Sequence, residues 1–154
     1  MDPDIHHHRT LAPDILDRLV ELDGAIFPKH FTRDVFERQL GHRRGLCVLL
    51  AYRGGECCGY KVGYEHSERV FYSFSGGVLP IHRRQGVARA LMAEQHRVAC
   101  ELGYTVVRTH TKNRYREMLI LNLGAGFDIT GVSFQGGERE PTIVMERRLV
   151  APGS

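Results

Sequence analysis

The chain has 154 residues, of which 42% are hydrophobic and 25% charged, a balance typical of a globular domain rather than a disordered or fibrous protein. The net charge of +3 is too small to indicate a nucleic-acid binder by itself. No apolar stretch approaches the ~20 residues that a membrane span needs. We therefore expect one domain over residues 1–154, with neither nucleic acid nor a membrane as partner.

The N-terminal segment and the cysteines indicate a cytoplasmic protein with reduced thiols. The polar start "MDPDIHHHRT" does not resemble a secretory signal. Consecutive histidines in a strand cannot all point at one ion, so no metal site is expected there. There is no C-x-x-C pair among the cysteines, and neighbouring ones point to opposite faces of a strand. The cysteines are Cys47, Cys57, Cys58 and Cys100.

The first half of the chain predicts a strand, two helices and three antiparallel strands. A short strand over 4–9 precedes a helix within 11–28, where apolar residues recur at helical spacing until Pro28. A second helix over 32–41 begins at Thr32, a good N-cap, and stops at Gly41. The strands that follow are predicted at 46–52, 57–65 and 70–80, with a tight turn at 53–56.

The second half alternates helices and strands. A helix over 86–102 has Val87, Leu91, Val98 and Leu102 on one face and Gly103 at its end, and a strand follows at 104–111. Because a helix connects them, the strands at 70–80 and 104–111 are predicted to be parallel. A helix over 113–126, capped by Asn113, and a hairpin of 127–134 and 142–150 complete the chain. The order β-α-α-β-β-β-α-β-α-β-β predicts an α/β (α+β) mixed sheet with helices on its faces.

One short segment, "VLPIHRRQGVARALM" at residues 78–92, has the pattern of an anion site. A hydrophobic strand ends, basic residues follow, and a helix begins at Gly86. The unpaired N–H groups and dipole of a helix N-terminus attract phosphates, and Arg83 and Arg84 can add charge-assisted hydrogen bonds. Neither a Walker A motif nor G-x-G-x-x-G is present. From spacing alone, a solvated basic turn is the alternative.

Arg83-x-x-Gly86-x-Ala88, after a strand that ends in Val78, resembles the [Q/R]-x-x-G-x-[G/A] motif of the GNAT superfamily of N-acetyltransferases. The pair Gly126-Phe127 is similar to the end of that family's second cofactor segment, and the element order resembles the GNAT fold over nearly the whole chain. The resemblance implies direct attack of a primary amine on acetyl-CoA in a ternary complex. Acetyl-CoA would be a co-substrate, and no metal would be needed.

The resemblance also implies which residues hold acetyl-CoA. The strands at 70–80 and 104–111 would splay apart, with the pantetheine arm in the gap. The backbone of Val78 and Leu79 would pair with that arm, and an N–H of one of them would stabilise the oxyanion. The expected cofactor-binding residues are Val78, Leu79, Arg83, Arg84, Gln85, Gly86, Val87, Ala88, Asn113, Asn122 and Phe127.

The expected catalytic residues are less well specified. Many members of the family carry a tyrosine as general acid five residues before the phenylalanine, where this chain has Asn122. An amide can hydrogen-bond a sulfur but cannot act as an acid. Candidates for the general base stand at strand positions, and Ser73 and Ser75 are expected to share one face and position an amine or a water. The catalytic candidates are Glu65, Tyr72, His110 and Asn122, with His66 beside the first.

Asn122 also leaves a second interpretation open, a catalytically weak GNAT-fold module that binds acyl-CoA or regulates. The amine acceptor, whether a small amine, an aminoglycoside, a polyamine, a peptide or a protein, is not specified by the sequence. Both a monomer and a homodimer are compatible with it.

Overall fold

A computed structural model describes residues 2–134 and 136–150. The predicted order of helices and strands is confirmed, with one turn of 3-10 helix, Pro80–His82, added before the third helix. The strands are β1 (Asp4–His8), β2 (Cys47–Arg53), β3 (Glu56–Ser67), β4 (Val70–Val78), β5 (Val106–Lys112), β6 (Asp128–Ser133) and β7 (Thr142–Arg148). The helices are α1 (Pro13–Ile26), α2 (Arg33–Leu40), α3 (Val87–Glu101) and α4 (Arg116–Gly124).

The strands form one mixed sheet in the order β1-β2-β3-β4-β5-β7-β6. The pair β4–β5 is parallel, as predicted, and the other neighbours are antiparallel. Helices α1 and α2 pack on one face of the sheet, while α3 and α4 pack on the other, so the core has two layers. The parallel pair β4–β5 therefore lies near the centre of the sheet, with a layer of helices on each face.

Two details of the predicted helices are wrong. Asn113 does not cap α4, because the helix begins at Arg116, Tyr115 takes the N-cap position, and Asn113 lies in the preceding turn. Leu102 does not continue the buried face of α3. The helix ends one residue earlier, and the Leu102 side chain is 46% exposed.

Strand β4 contains a bulge that changes which side chains share a face. Val62 pairs with Ser75 and Gly63 pairs with Ser73, so Phe74 has no partner on β3. The Ser75 hydroxyl lies 2.9 Å from the hydroxyl of Tyr60, which belongs to the core beneath α1 and α2. Ser73 follows the alternation of the strand toward the opposite core. The prediction that the two serines share one face is therefore wrong.

A buried carboxylate joins α1 to the sheet. The Asp23 side chain, 1% exposed, accepts a hydrogen bond from the Tyr60 hydroxyl at 2.5 Å and one from the backbone N–H of Phe31 at 2.7 Å. The first bond anchors α1 on β3, and the second fixes the connection between α1 and α2. Buried polar groups are stable only when paired, so Asp23 and its two donors depend on one another.

None of the helices in the described ranges is both long and apolar enough to cross a bilayer. Over the same ranges, His, Cys, Asp and Glu side chains form no group of three that could hold a metal ion. The four cysteines are free thiols. The cytoplasmic location and the absence of a nucleic-acid partner stay predictions.

We expect Asp23→Ala to destabilise the fold by about 2–3 kcal/mol, because it leaves the Phe31 N–H without its acceptor and Tyr60 with only one partner. Urea unfolding would measure this. Asp17→Ala is the matched control, since Asp17 also lies on α1 but makes an exposed ion pair with Arg33. Its loss should cost less than about 1 kcal/mol. Equal effects of the two substitutions would contradict an anchoring role for Asp23.

Candidate active site

The centre of the candidate site is a gap between β4 and β5. The two strands pair from Val70 and Val106 only as far as Ser73 and Thr109. Both strands continue beyond this point, to Val78 and Lys112, without pairing to each other. The expectation that they splay apart is confirmed. An open strand edge therefore lies in the middle of the sheet.

Backbone groups of β4 point into this gap. The N–H of Leu79 donates to the carbonyl oxygen of Cys58 at 2.8 Å, so it faces β3. Because the hydrogen bonds of an antiparallel strand alternate along the backbone, the N–H groups of Val78 and Gly76 face the opposite way, toward β5. Of the two N–H groups predicted as alternative oxyanion donors, that of Leu79 is thus excluded, and that of Val78 faces the gap. Gly76 is not among the predicted cofactor-binding residues, but two successive glycines inside a strand, Gly76 and Gly77, do indicate a close backbone approach of a ligand.

At one end of the gap lies the loop that begins α3. Arg84 and Gly86 have φ angles of 62° and 83°, and Gly86 is the N-cap residue of the helix. No acceptor in the described part of the chain meets the backbone N–H groups of residues 84–88. Left-handed residues within such a loop turn successive N–H groups toward one concavity that suits an anion. The backbone of this loop is therefore compatible with a phosphate cradle, and binding of a diphosphate there stays a prediction.

The side chains of this loop support its shape. Arg83 donates from Nε to the carbonyl oxygen of Val78 at 3.1 Å, which ties the loop to the end of β4. Gln85 accepts a hydrogen bond from Arg53, the last residue of β2. Val87 is buried in the core beneath α3. What remains for a ligand is the row of N–H groups and the exposed side chains of Arg83 and Arg84.

On the α1/α2 side of the sheet, next to the last β4–β5 pair, lies a cavity of about 250 Å³. It brings together three of the predicted catalytic residues, and it is lined by Arg43, Tyr64, Glu65, His66, Tyr72 and His110. The Tyr72 hydroxyl lies 3.3 Å from Nδ1 of His110, and the two rings meet edge to face with centroids 5.0 Å apart. The pair bridges β4 and β5 where their backbones part.

Both members of this pair are uncharged near neutral pH. Burial, followed by the neighbouring Tyr64, raises the pKa of Tyr72 to about 12, so the phenol stays protonated. Partial desolvation of its ring, followed by the charges of Arg108 and His66, lowers the pKa of His110, so its imidazole stays neutral. A neutral imidazole in contact with a protonated phenol can accept a proton, which is what a general base requires.

The other two predicted catalytic residues, Glu65 and Asn122, make contacts with the core. Glu65 lines the same cavity, but its carboxylate accepts a hydrogen bond from Tyr104, which belongs to the core beneath α3. Asn122 is 3% exposed and donates from Nδ2 to the sulfur of Met145 at 3.8 Å. Phe127 is buried against His96. Neither Asn122 nor Phe127 faces solvent, so any contribution to ligand binding would come through the packing of α4.

The sequence model of the acetyltransferase (GNAT) family matches residues 14–117. Among curated proteins, no match to the chain is found. The fold is similar to the ribosomal-protein-S18-alanine N-acetyltransferase of Escherichia coli, with a TM-score of 0.81 and 15% identity over 98% of this chain and 97% of that one.

Two further solved structures share the fold. Ard1 from Thermoplasma volcanium has a TM-score of 0.79 and 17% identity, over 97% of this chain and 99% of that one. A GNAT family acetyltransferase from Elizabethkingia anophelis with acetyl-CoA bound has a TM-score of 0.75 and 20% identity, over 96% and 99% of the two chains. These likenesses extend over nearly the whole chain.

We expect the pKa of His110 to lie below that of an ordinary histidine and to rise in Arg108→Met. Loss of the guanidinium removes a positive charge that opposes protonation and frees the Glu146 carboxylate that Arg108 binds at 2.6 Å. An NMR titration of the ring protons would measure both values. Arg97→Met, which removes a guanidinium from the exposed face of α3, is the control and should leave the titration unchanged. An unaltered pKa in Arg108→Met would contradict the assigned cause.

Proposed function

Because this chain belongs to the acetyltransferase (GNAT) family, we propose that it transfers the acetyl group of acetyl-CoA to a primary amine by direct attack in a ternary complex. One observation carries the proposal: the gap between β4 and β5 has a loop of unpartnered N–H groups at one end and a neutral Tyr72–His110 pair at the other. A molecule with a diphosphate and an extended amide arm fits this arrangement, with the diphosphate at the loop and the arm along the gap.

The loop and the gap would bind different parts of acetyl-CoA. The N–H groups of 84–88, at the positive end of the α3 dipole, would hold the diphosphate. The outward-facing backbone of Gly76 and Val78 would hydrogen-bond the amide arm as a neighbouring strand does. The same outward-facing N–H groups are the donors available to a developing oxyanion. When bound, acetyl-CoA supplies an activated acetyl group as a thioester.

The Tyr72–His110 pair, on the α1/α2 side of the sheet, would remove a proton from the amine. With the proton of neutral His110 on Nε2, the Tyr72 phenol would donate to Nδ1, which leaves a lone pair of the phenol oxygen for the N–H of the attacking amine. As the amine attacks, Tyr72 can accept that proton while it passes its own to His110. His110 is exposed, so it can return the proton to water. Arg43, stacked on the Tyr64 ring at 4.3 Å, forms one wall of the acceptor cavity.

The catalytically weak acyl-CoA-binding module is the second interpretation, and one observation favours it. No general acid stands at position 122, since the Asn122 amide binds Met145 inside the core. Binding of acetyl-CoA without release of thiol in the presence of amines would support this module over the enzyme.

The first test concerns the cradle. Acetyl-CoA at ~100 times its Kd should stabilise the wild-type fold by about 2.7 kcal/mol, which raises the Tm by about 5–10 °C. Gly86→Glu should abolish the shift, since a carboxylate would lie among the N–H groups. Gly103→Glu is the matched control at the other end of α3, because both glycines have positive φ angles and open space around the Cβ position. Loss of the shift in both variants, or in neither, would contradict the assignment of the cradle.

The second test concerns the base. Tyr72→Phe and His110→Ala should each lower kcat by about 10²-fold or more, since proton transfer in the transition state typically contributes at least that much. Acetyl-CoA should still raise their Tm as it does in the wild type, because neither side chain belongs to the cradle. His6→Ala on the edge strand β1 is the control. Thiol release, followed with a panel of small amines and peptides, would measure the rates. Wild-type kcat in both variants would remove the pair from the mechanism.

A further inference from the structure

Lys61 lies on β3 directly opposite Gly76 of β4, at the level where β4 and β5 have separated. Both residues face the core beneath α3, because their neighbours Tyr60 and Gly77 face α1. A Cβ atom placed on Gly76 would lie 3.0 Å from the carbonyl oxygen of Tyr60, 3.2 Å from Cγ of Lys61 and 3.5 Å from Cα of Lys61. Strands β3 and β4 thus approach closely here, and Cγ of Lys61 lies beside Gly76 on the face of α3. Because Gly76 has no side chain, the Lys61 side chain has room to extend over β4 toward the gap.

The ammonium of Lys61 is a cation without an anion. No carboxylate of the described residues forms an ion pair with it, and burial alone lowers the pKa of Lys61 to about 8. The titratable group near it is His96 on α3, whose Nδ1 lies 2.8 Å from Arg147 of β7. Burial, then the charges of Arg147 and Lys61, lower the pKa of His96 to about 3, so His96 is neutral and supplies no negative charge.

Resting on the proposed function, we propose that Lys61 is the general acid that protonates the departing coenzyme A thiolate. The nitrogen of the amine forms a bond to the acetyl carbon, and the carbon–sulfur bond breaks with its electron pair going to sulfur. Sulfur takes a proton from the Lys61 ammonium, and the proton lost by the amine goes through Tyr72 to His110. The neutral Lys61 then regains a proton from solvent.

The chemistry of the group suits this task. A thiol has a pKa of ~8.5, and an acid works best when its own pKa is near that of the atom it protonates and near the working pH. Asn122 has no acidic proton, and its amide lies against Met145. The carbonyl end of an arm that lies along Gly76 and Val78 would place a sulfur beside Gly76, where the Lys61 side chain has room to extend. A cation there also lowers the energy of a thiolate before the proton moves.

Lys61→Met and Lys61→Arg separate the roles of the ammonium. Met keeps the length and apolar stem, so the fold should tolerate it, whereas Arg keeps the charge but cannot release a proton at working pH. Lys29→Met, which removes an exposed ammonium between α1 and α2, is the control. We expect kcat to fall by about 10²-fold in both Lys61 variants and to stay unchanged in the control.

A second readout does not depend on turnover. The ultraviolet absorbance of the thiolate gives the pKa of the coenzyme A thiol when it is bound, and desulfo-coenzyme A provides the blank. Binding to the wild type should lower that thiol pKa by at least one unit relative to free coenzyme A, which is a tenfold shift toward thiolate. The shift should vanish in Lys61→Met and persist in Lys61→Arg and Lys29→Met.

The outcomes separate this inference from the proposed function. An unshifted thiol pKa in the wild type, or a shift that survives in Lys61→Met, would overturn the role of Lys61 while binding of coenzyme A leaves the proposed function standing. Wild-type kcat in Lys61→Arg would exclude proton donation. Failure of the wild type to bind coenzyme A at all, seen as no change in Tm, would overturn the proposed function and the inference with it.

Discussion

Two adjacent strands that stop pairing in the middle of a sheet leave backbone groups without partners, and the candidate site depends on this interruption. Beyond Ser73 and Thr109, the N–H groups of Gly76 and Val78 face β5, which no longer pairs with β4. Interior backbone groups are almost always hydrogen-bonded, so the gap suits a ligand that offers amide-like partners. The shape of the sheet thus favours an extended ligand before any side chain is considered.

The gap persists because each strand is held by its other neighbour. The bulge at Phe74 bends β4, and Phe74 packs between Phe31 and Tyr64 in the core beneath α1 and α2. Strand β5 stays paired with β7 as far as Lys112, so it follows β7 rather than β4. Closing the gap would require one of these pairings to break. The opening is therefore a property of the packed fold and needs no ligand to create it.

Local features of the sequence were predicted well, and features that depend on register were not. The motif of Arg83, Gly86 and Ala88 encodes its own conformation, because glycine permits the turn and the helix begins directly after it. The bulge is different. Phe74 and Ser75 are ordinary strand residues, and only the pairing with β3 shows that the alternation changes between them. The same register decides that the Leu79 N–H faces β3, which the motif alone could not show.

Contacts between residues distant in sequence were also not predicted, because they too depend on strand register. Tyr72 and His110 were separate candidates for the base, and their contact depends on the parallel register that sets Tyr72 beside Arg108. Asn113 has the chemistry of a helix cap, but the turn after β5 is two residues longer than that role requires, and Tyr115 takes the position. Nothing in the sequence pattern indicated Lys61 as a functional residue, since a lysine within a strand ordinarily faces water.

The sheet separates the two proton transfers that the reaction needs. Tyr72 and His110 lie on the face of α1 and α2, while Lys61 lies beside Gly76 on the face of α3. An acetyl group in the gap between them would meet the amine on one face and release sulfur toward the other. A base and an acid on the same face would exchange protons directly, whereas the backbone of β4 keeps these apart. With this arrangement the site does not need an acid at position 122, because Lys61 on β3 supplies the proton that the departing sulfur takes up.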